Sequence, residues 1–364
     1  GRPILNNRLG GRGGQSGGWI HEQALAAIRS IRRAVGPDVL LLGMGGVSTG
    51  EEAAAMVRAG ADTVGIGSAL GRVHQRQWPA YLQAVKSSAE RLLYGSIAMD
   101  DHLQSGAAFL RKESAMRYEP HVIDEIIFHT PDTAVIRLRG TMSCSPGEYA
   151  FIWLPEVGEK PFSIAGSSPL TFVIKARGEF TRALLASAPG DTVYIRGMYG
   201  AEVQIAACDR AVLVAGGTGI AVLPSLAEKL HGHSIPMEIY HGTSEAVTGN
   251  PLLHEELSRF GPYLSVPDNG IPGRVLESVP FERESEEQVA WYFVGPEIFM
   301  SRAASLAVAA GASPEAIMLS MERPSLCGIG MCGECACGER LTCQYGTFVS
   351  YAYLLAEAPE LLDD

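Results

Sequence analysis

The sequence predicts a mixed α/β-plus-β chain: an alternating strand–helix segment, a small antiparallel β-barrel, a doubly wound α/β domain and a small cysteine-rich domain. Three observations predict it. Residues 1–95 and 207–312 mix helically spaced apolar positions with short continuous apolar runs, as helices packed on a parallel sheet do. Between them, over 118–206, the period falls to two in short segments separated by turn residues. Residues 313–364 carry five of the seven cysteines. Residues 96–117 read as a linker.

In the first segment, Ala24 to Val35 places apolar residues at helical spacing with arginines opposite. Val39 to Met44 is a continuous apolar strand running into Gly45 and Gly46. Ser48, Thr49, Glu51 and Glu52 then supply a cap and first-turn acids for a helix through Met56 that ends at Gly60. A strand from Asp62 ends at Gly67 and Ser68. Glycines after successive strands suit a phosphate cup at the C-terminal ends of barrel strands, although ordinary turns use the same residues. A helical pattern over Trp78 to Leu93 follows.

Strands of the small barrel are expected at Glu125–Phe128, Ala134–Leu138, Tyr149–Leu154, Phe172–Lys175 and Thr192–Ile195. The α/β pattern resumes with the buried strand Ala211–Ala215. Next come Gly216, Gly217, Thr218 and Gly219, and a helix from Val222 to Leu230. Glycines between a strand and a helix let a pyrophosphate approach backbone N–H groups, and a plain tight turn is the other reading. The strand Val289–Val294 ends at Gly295 and Pro296, pointing to the same crevice of a doubly wound sheet. A helix over Phe299–Ala310 precedes Gly311.

Cys327, Cys332, Cys335 and Cys343 form a C-x4-C-x2-C run with a fourth thiol eight positions on. This is plant-type [2Fe–2S] spacing. Gly328, Gly330 and Gly333 let the loop turn its N–H groups toward the sulfurs. Zinc, which favours paired C-x2-C knuckles, and a disulfide cluster are the competing readings. Cys337 reads as a packed thiol beside the loop, with exchange for Cys335 as the alternative. Cys144 and Cys208 read as buried packing thiols.

A net charge of −11 argues against nucleic acid or an anionic membrane as the main partner. No apolar run approaches the ~20 residues of a membrane span. A cytoplasmic location is expected. His231, His233, His241 and His254 lack ligand spacing, and Glu282–Glu287 reads as a solvated loop. The sequence opens at Gly1 rather than Met, and its first motif reads as the interior of a longer polypeptide.

Gly13 to Gly17, the Gly45-Gly46-Val47 turn and the segment Ala59 to Ala69 occur in the order found in dihydroorotate dehydrogenases. Residues Gly1 to about Arg72 resemble the last third of that flavin-binding (β/α)8 barrel. The resemblance implies that Ser16 and Gly17 contact the FMN ring region while Gly45, Gly46, Gly67 and Ser68 hold its phosphate. The family's catalytic base and most orotate-binding residues lie upstream of Gly1, so catalytic residues are unassigned. A partial barrel leaves open sheet edges and an exposed apolar face, so a further barrel segment or subunit is expected to complete it.

From about Tyr118 to Phe348, the order of small barrel, Gly-Gly-Thr-Gly turn, Gly-Pro loop and thiol motif resembles the ferredoxin–NADP reductase superfamily. It most resembles the electron-transfer subunit of NAD-dependent (type 1B) dihydroorotate dehydrogenase. The resemblance implies FAD contacts at Lys160, Pro161, Phe162 and Ser163, where lysine replaces the usual arginine. It implies further contacts around Ile174, Lys175 and Thr181, where Phe180 stands in place of a family glycine. Gly197 to Gly200 matches the turn at the barrel's exit. Pro267 to Gly270 resembles an acidic loop near the nicotinamide nucleotide, and a surface turn is the plainer reading.

An electron-transfer chain is therefore expected, from NAD(H) through FAD and a [2Fe–2S] cluster to FMN. Dihydroorotate and orotate would exchange there, in pyrimidine biosynthesis. Hetero- or homo-oligomers are expected. The alternatives are another pyrimidine or enoate substrate, or an electron-carrier module serving another reductase partner.

Overall fold

The computed structural model describes residues 17–94, 117–205, 207–243, 251–282, 287–330 and 332–362. They fall into two compact units, Gly1–Ala115 with Ile329–Met331, and Met116–Gly328 with Cys332–Asp364.

In the first unit, helix α1 (His21–Val35) buries Leu25 and Ile28, keeps Arg29 and Arg33 outward, and stops at Gly36 with φ 76°. Strands β1 (Leu42–Met44) and β2 (Thr63–Gly65) pair in parallel, Leu42 opposite Thr63. Between them, helix α2 (Gly50–Arg58) begins with a capping box. Thr49 Oγ1 accepts from Glu52 N at 3.4 Å, and Glu52 Oε2 accepts from Thr49 N at 3.0 Å. Helix α3 (Trp78–Tyr94) packs Tyr81 and Val85 into the same core, and Tyr81 donates to Ser48 O at 2.8 Å.

Both strands are shorter than the apolar runs suggest, for a local reason. Arg32 Nη1 donates to Val39 O at 2.8 Å, and Leu41 N donates to Asp62 Oδ2 at 2.8 Å. Side chains therefore engage backbone groups that a longer ladder would use. The outer face of β1 stays apolar and open: Leu40, Leu42 and Met44 are 86%, 57% and 53% exposed.

In the second unit, six antiparallel strands close a barrel: β3 (Glu119–Thr130), β4 (Thr133–Leu138), β5 (Tyr149–Leu154), β6 (Gly158–Ser167), β7 (Leu170–Lys175) and β8 (Thr192–Tyr199). Their order is β3-β4-β7-β6-β5-β8. Inward residues such as Ile136, Ile152, Phe172 and Ile195 fill it, and helix α4 (Glu179–Leu185) adds Phe180 and Leu184. The sequence pattern missed β6, whose mixed residues leave most of its length half-buried rather than alternating.

The α/β part runs β9 (Arg210–Gly216), α5 (Leu223–Gly232), β10 (Met237–Thr243), α6 (His254–Leu257), β11 (Tyr263–Pro267), β12 (Val289–Val294), α7 (Glu297–Ala309) and β13 (Ile317–Ser320). It continues with β14 (Ala336–Cys337), β15 (Arg340–Leu341), α8 (Thr342–Tyr345), β16 (Phe348–Ser350) and α9 (Tyr351–Glu357). Six strands form one sheet, β11-β10-β9-β12-β13-β16, parallel except for the edge strand β16. Both of its faces are covered. On β9, Ala211, Leu213 and Ala215 enter the core under α5, while Val212 and Val214 enter the core under α7. That double burial makes the run continuously apolar. Strands β13 and β16, both beyond residue 312, complete the sheet. Among the described residues, no helix is long and apolar enough to cross a membrane.

Candidate nucleotide cleft and thiol loop

Sheet order reverses between β9 and β12, so the turns leaving these neighbouring strands open a crevice at their C-terminal ends. The structure brings Gly216, Gly217, Thr218, Gly219, Gly295 and Pro296 together there, lining a cleft of about 590 Å³. Close approach explains one glycine. A Cβ on Gly219 would lie 3.0 Å from Gly295 N and 3.1 Å from Gly295 Cα, both backbone atoms that would have to shift to admit it. Gly216 packs the same way against Phe299, with a Cβ at 3.3 Å from the ring.

The barrel contributes to the same cleft. Lys175 at the end of β7 and the following Arg177 line it, together with Arg302 of α7, Asp268 after β11 and Glu322 after β13. Ser163 on β6 donates to Glu322 Oε1 at 3.2 Å, and Glu322 is an exposed side chain at the rim of the cleft. Phe162 stacks on Phe180 with centroids 6.0 Å apart, while Lys160 is exposed beside Pro161 on β6. Two expected residues are engaged locally. Ile174 is fully buried in the barrel core. Thr181 Oγ1 accepts from Arg177 N at 2.9 Å and from Gly178 N at 3.1 Å, closing the start of α4.

In the first unit, Gly45 and Gly46 follow β1, Gly67 and Ser68 follow β2, and the parallel pairing sets the two turns at one edge. Gly17 joins the first turn: a Cβ on Gly46 would lie 2.9 Å from Gly17 O. His21 Nδ1 lies 3.1 Å from Gly45 O. Ser16 falls outside the described residues.

All seven cysteines are free thiols, and three of the four motif thiols meet. Cys343 hydrogen-bonds toward Cys327 and Cys335. This holds the Cys343 proton, raising its pKa, and lowers that of Cys335, whose thiolate accepts the bond. Cys335 and Cys343 are buried and Cys332 is exposed. Among the described residues, no group of three or more His, Cys, Asp or Glu side chains is placed to hold a metal ion. Cys337 faces away, fully buried in the core under α7.

The residue that ties the thiol loop to the barrel is Arg196 on β8. It is buried and pairs at two points with Glu159, Nε to Oε2 and Nη2 to Oε1, both 2.9 Å. It also donates to Leu326 O and Cys327 O, each at 2.9 Å, and to Tyr199 OH at 2.8 Å. Phe151 lies beneath the guanidinium at 3.8 Å. Sequence reading passed over Arg196, Glu322 and Arg302. The one available signal was an arginine standing inside an apolar barrel strand, immediately before the Gly197–Gly200 turn.

The sequence model of the dihydroorotate dehydrogenase family matches residues 2–84. A probable dihydroorotate dehydrogenase B (NAD(+)), electron transfer subunit from Thermococcus kodakarensis is 32% identical over 63% of this chain and 94% of its own length. Its counterpart from Pyrococcus horikoshii is 32% identical over 58% of this chain and 81% of its own length. Among solved structures, a chain of an NADH-dependent reduced ferredoxin–NADP oxidoreductase superposes with a TM-score of 0.55 at 22% identity. It covers 66% of this chain and 93% of that one, a likeness of fold.

Proposed function

The chain belongs to the family of electron transfer subunits of dihydroorotate dehydrogenase B (NAD(+)), and from that premise we propose that its second unit passes electrons between NAD(H) and a flavin site at which dihydroorotate and orotate exchange. The observation that carries the reading is the single cleft in which the two glycine turns of the sheet's switch point meet Lys175, Arg177 and Glu322.

The residues suit the groups the family implies. Gly216 to Gly219 and Gly295 bring backbone close to a bound NAD(H), with Arg302 adding positive charge for a diphosphate. Lys160 to Ser163, Ile174 (through its backbone), Lys175 and Thr181 border the region proposed for FAD, and the Ser163 hydroxyl is held toward Glu322. Cys327, Cys335 and Cys343, with Cys332 turned in from its exposed position, would supply the four thiolates of a [2Fe–2S] cluster, and burial of Cys335 and Cys343 keeps water from that side. When bound, FAD takes up electrons as a pair and the cluster carries them singly, which lets a hydride donor feed a one-electron path.

The first unit is read as part of an FMN-binding (β/α)8 barrel, with Ser16, Gly17, Gly45, Gly46, Gly67 and Ser68 toward FMN. The open face of β1 is left for a further barrel segment or subunit. The proposed domain assignment is 1–95 in the barrel, 96–117 as linker, 118–206 for FAD, 207–312 for NAD, with β13 and β16 of its sheet supplied from beyond residue 312, and 313–364 for the cluster.

The test is NADH oxidation by the purified chain. Cys332→Ser should keep NADH–ferricyanide activity, which needs the flavin alone, yet lose electron delivery to an FMN-containing partner barrel. A parent chain that oxidises NADH with no dependence on orotate in that partner's presence would favour the electron-carrier reading. A chain that oxidises no NADH would defeat both.

A further inference from the structure

His241 stands on β10 with 1% of its surface exposed, and both ring nitrogens are engaged. Nε2 lies 2.9 Å from Gly217 O. A carbonyl oxygen can only accept, so Nε2 carries the hydrogen and donates. Nδ1 is then the acceptor, and the Tyr263 hydroxyl donates to it across 2.8 Å. The same hydroxyl is 3.2 Å from Leu252 O, a more distant acceptor. The partners thus select one tautomer.

Gly217 O belongs to the peptide whose other half is the Thr218 N–H. In a trans peptide the two groups point in opposite directions. Holding the oxygen toward β10 turns the Thr218 N–H away from the core, and both residues line the cleft. The anchor matters because Gly217 has φ 57° and a Cβ there would meet nothing within 4 Å. Gly217 also opens a 3-10 turn that runs to Val222, so the imidazole adds a side-chain hold to a backbone turn whose first residue is itself little restricted by sterics.

We infer that His241 is a positioning residue for the diphosphate of NAD(H): its Nε2–H fixes the Gly217–Thr218 peptide so that the Thr218 N–H faces the bound nucleotide. The inference rests on the dinucleotide reading of the cleft and assigns that reading a residue which touches neither nucleotide nor flavin.

The test uses the full chain with its flavin and compares His241→Leu, His241→Gln and Tyr263→Phe. Dissociation constants for NADH and ADP-ribose are measured, together with KM and kcat of NADH–ferricyanide reduction. His241→Leu should weaken both nucleotides about tenfold, the loss of one oriented hydrogen bond, and raise KM while kcat at saturation holds. His241→Gln, whose amide N–H reaches similarly, should stay within about threefold of the parent. Tyr263→Phe releases the tautomer and should weaken binding by about threefold. Equal loss in the Leu and Gln variants would reduce His241 to a packing residue and overturn the inference. So would parental affinity in His241→Leu. Should His241→Leu fail to fold, parental affinity in Tyr263→Phe overturns it as well. A parent chain that binds neither NADH nor ADP-ribose defeats the dinucleotide reading and this inference together, whereas a binding parent with an indifferent His241 defeats this inference alone.

Discussion

Arg196 Nη1 donates to the carbonyl oxygen of Cys327 across 2.9 Å, so a strand of the barrel holds the first residue of the thiol loop. The guanidinium also neutralises Glu159, and both side chains are largely withdrawn from water, 9% and 13% exposed. Removing one member of such a pair leaves an uncompensated charge, at a cost of about 3–5 kcal/mol. Arg196→Ala should therefore lower the unfolding free energy, read from urea denaturation, by that amount and lower the iron bound per chain. Arg196→Lys keeps the charge but cannot reach Glu159, Leu326 O and Cys327 O together, and should fall between. An Arg196→Ala protein with parental iron content would mean that the loop is held from elsewhere.

Gly219→Ala sets a Cβ 3.0 Å from Gly295 N and 3.1 Å from Val294 C. Because both are backbone, the turn after β9 and the loop after β12 must separate, and the nucleotide loses one wall of its cleft. NADH affinity should fall about tenfold or more, by analogy with the steep cost of small misplacements at reacting sites. Gly232→Ala is the control: a Cβ there meets nothing within 4 Å, and the residue is helical, so both stability and affinity should hold. Titration calorimetry on the two proteins settles it, and equal affinities would show that the loops have room to move.

Cys337 is fully buried under α7, and loss of water pushes its thiol up to about 11. It takes no part in the hydrogen bonds that join Cys327, Cys335 and Cys343. Cys337→Ala should keep iron and acid-labile sulfide at parental levels while losing about 1 kcal/mol of stability from the small void. Cys335→Ala should lose the iron. The reverse pattern would move Cys337 into the ligand set.

How far these features could be read in the sequence depended on whether one stretch of chain carried the whole signal. Apolar runs such as Val212 to Ala215 announce a strand covered on both faces, and Gly216 to Gly219 sit directly behind one of them, so the crevice was legible. The thiol spacing was equally local. Arg196 and Glu159 meet across 37 positions, and Ser163 and Glu322 across 159, so no periodicity or motif links them. Strand β6 hid because its partly covered residues break alternation. The pairing of β13 with β16 depends on a return of the chain after the thiol loop, which local pattern does not encode. His241 was read only as a residue without ligand spacing, since its role lies in a carbonyl 24 positions away.

His241 also makes stability depend on pH in a defined direction. Burial holds its pKa at about 4, against an ordinary 6.5. Between those values the unfolded chain binds a proton that the folded chain refuses, so folded stability falls as pH falls through that window. Above 6.5 both states are neutral and the contribution is constant. Below about 4 both are protonated and no further loss accrues. At 1.36 kcal/mol per pH unit the full drop is about 3 kcal/mol. The titratable groups nearby are Tyr263, which donates to the ring, and His254, stacked edge-on to Tyr263 at 5.0 Å. Neither places a negative charge on the imidazole at these pH values, so nothing compensates its protonation. Urea midpoints at pH 4.5, 5.5 and 7 should fall more steeply for the parent than for His241→Gln, whose amide does not titrate. Parallel slopes would mean that His241 gains its proton in the folded protein at an ordinary pH, and that the Gly217 carbonyl is held by a charged ring.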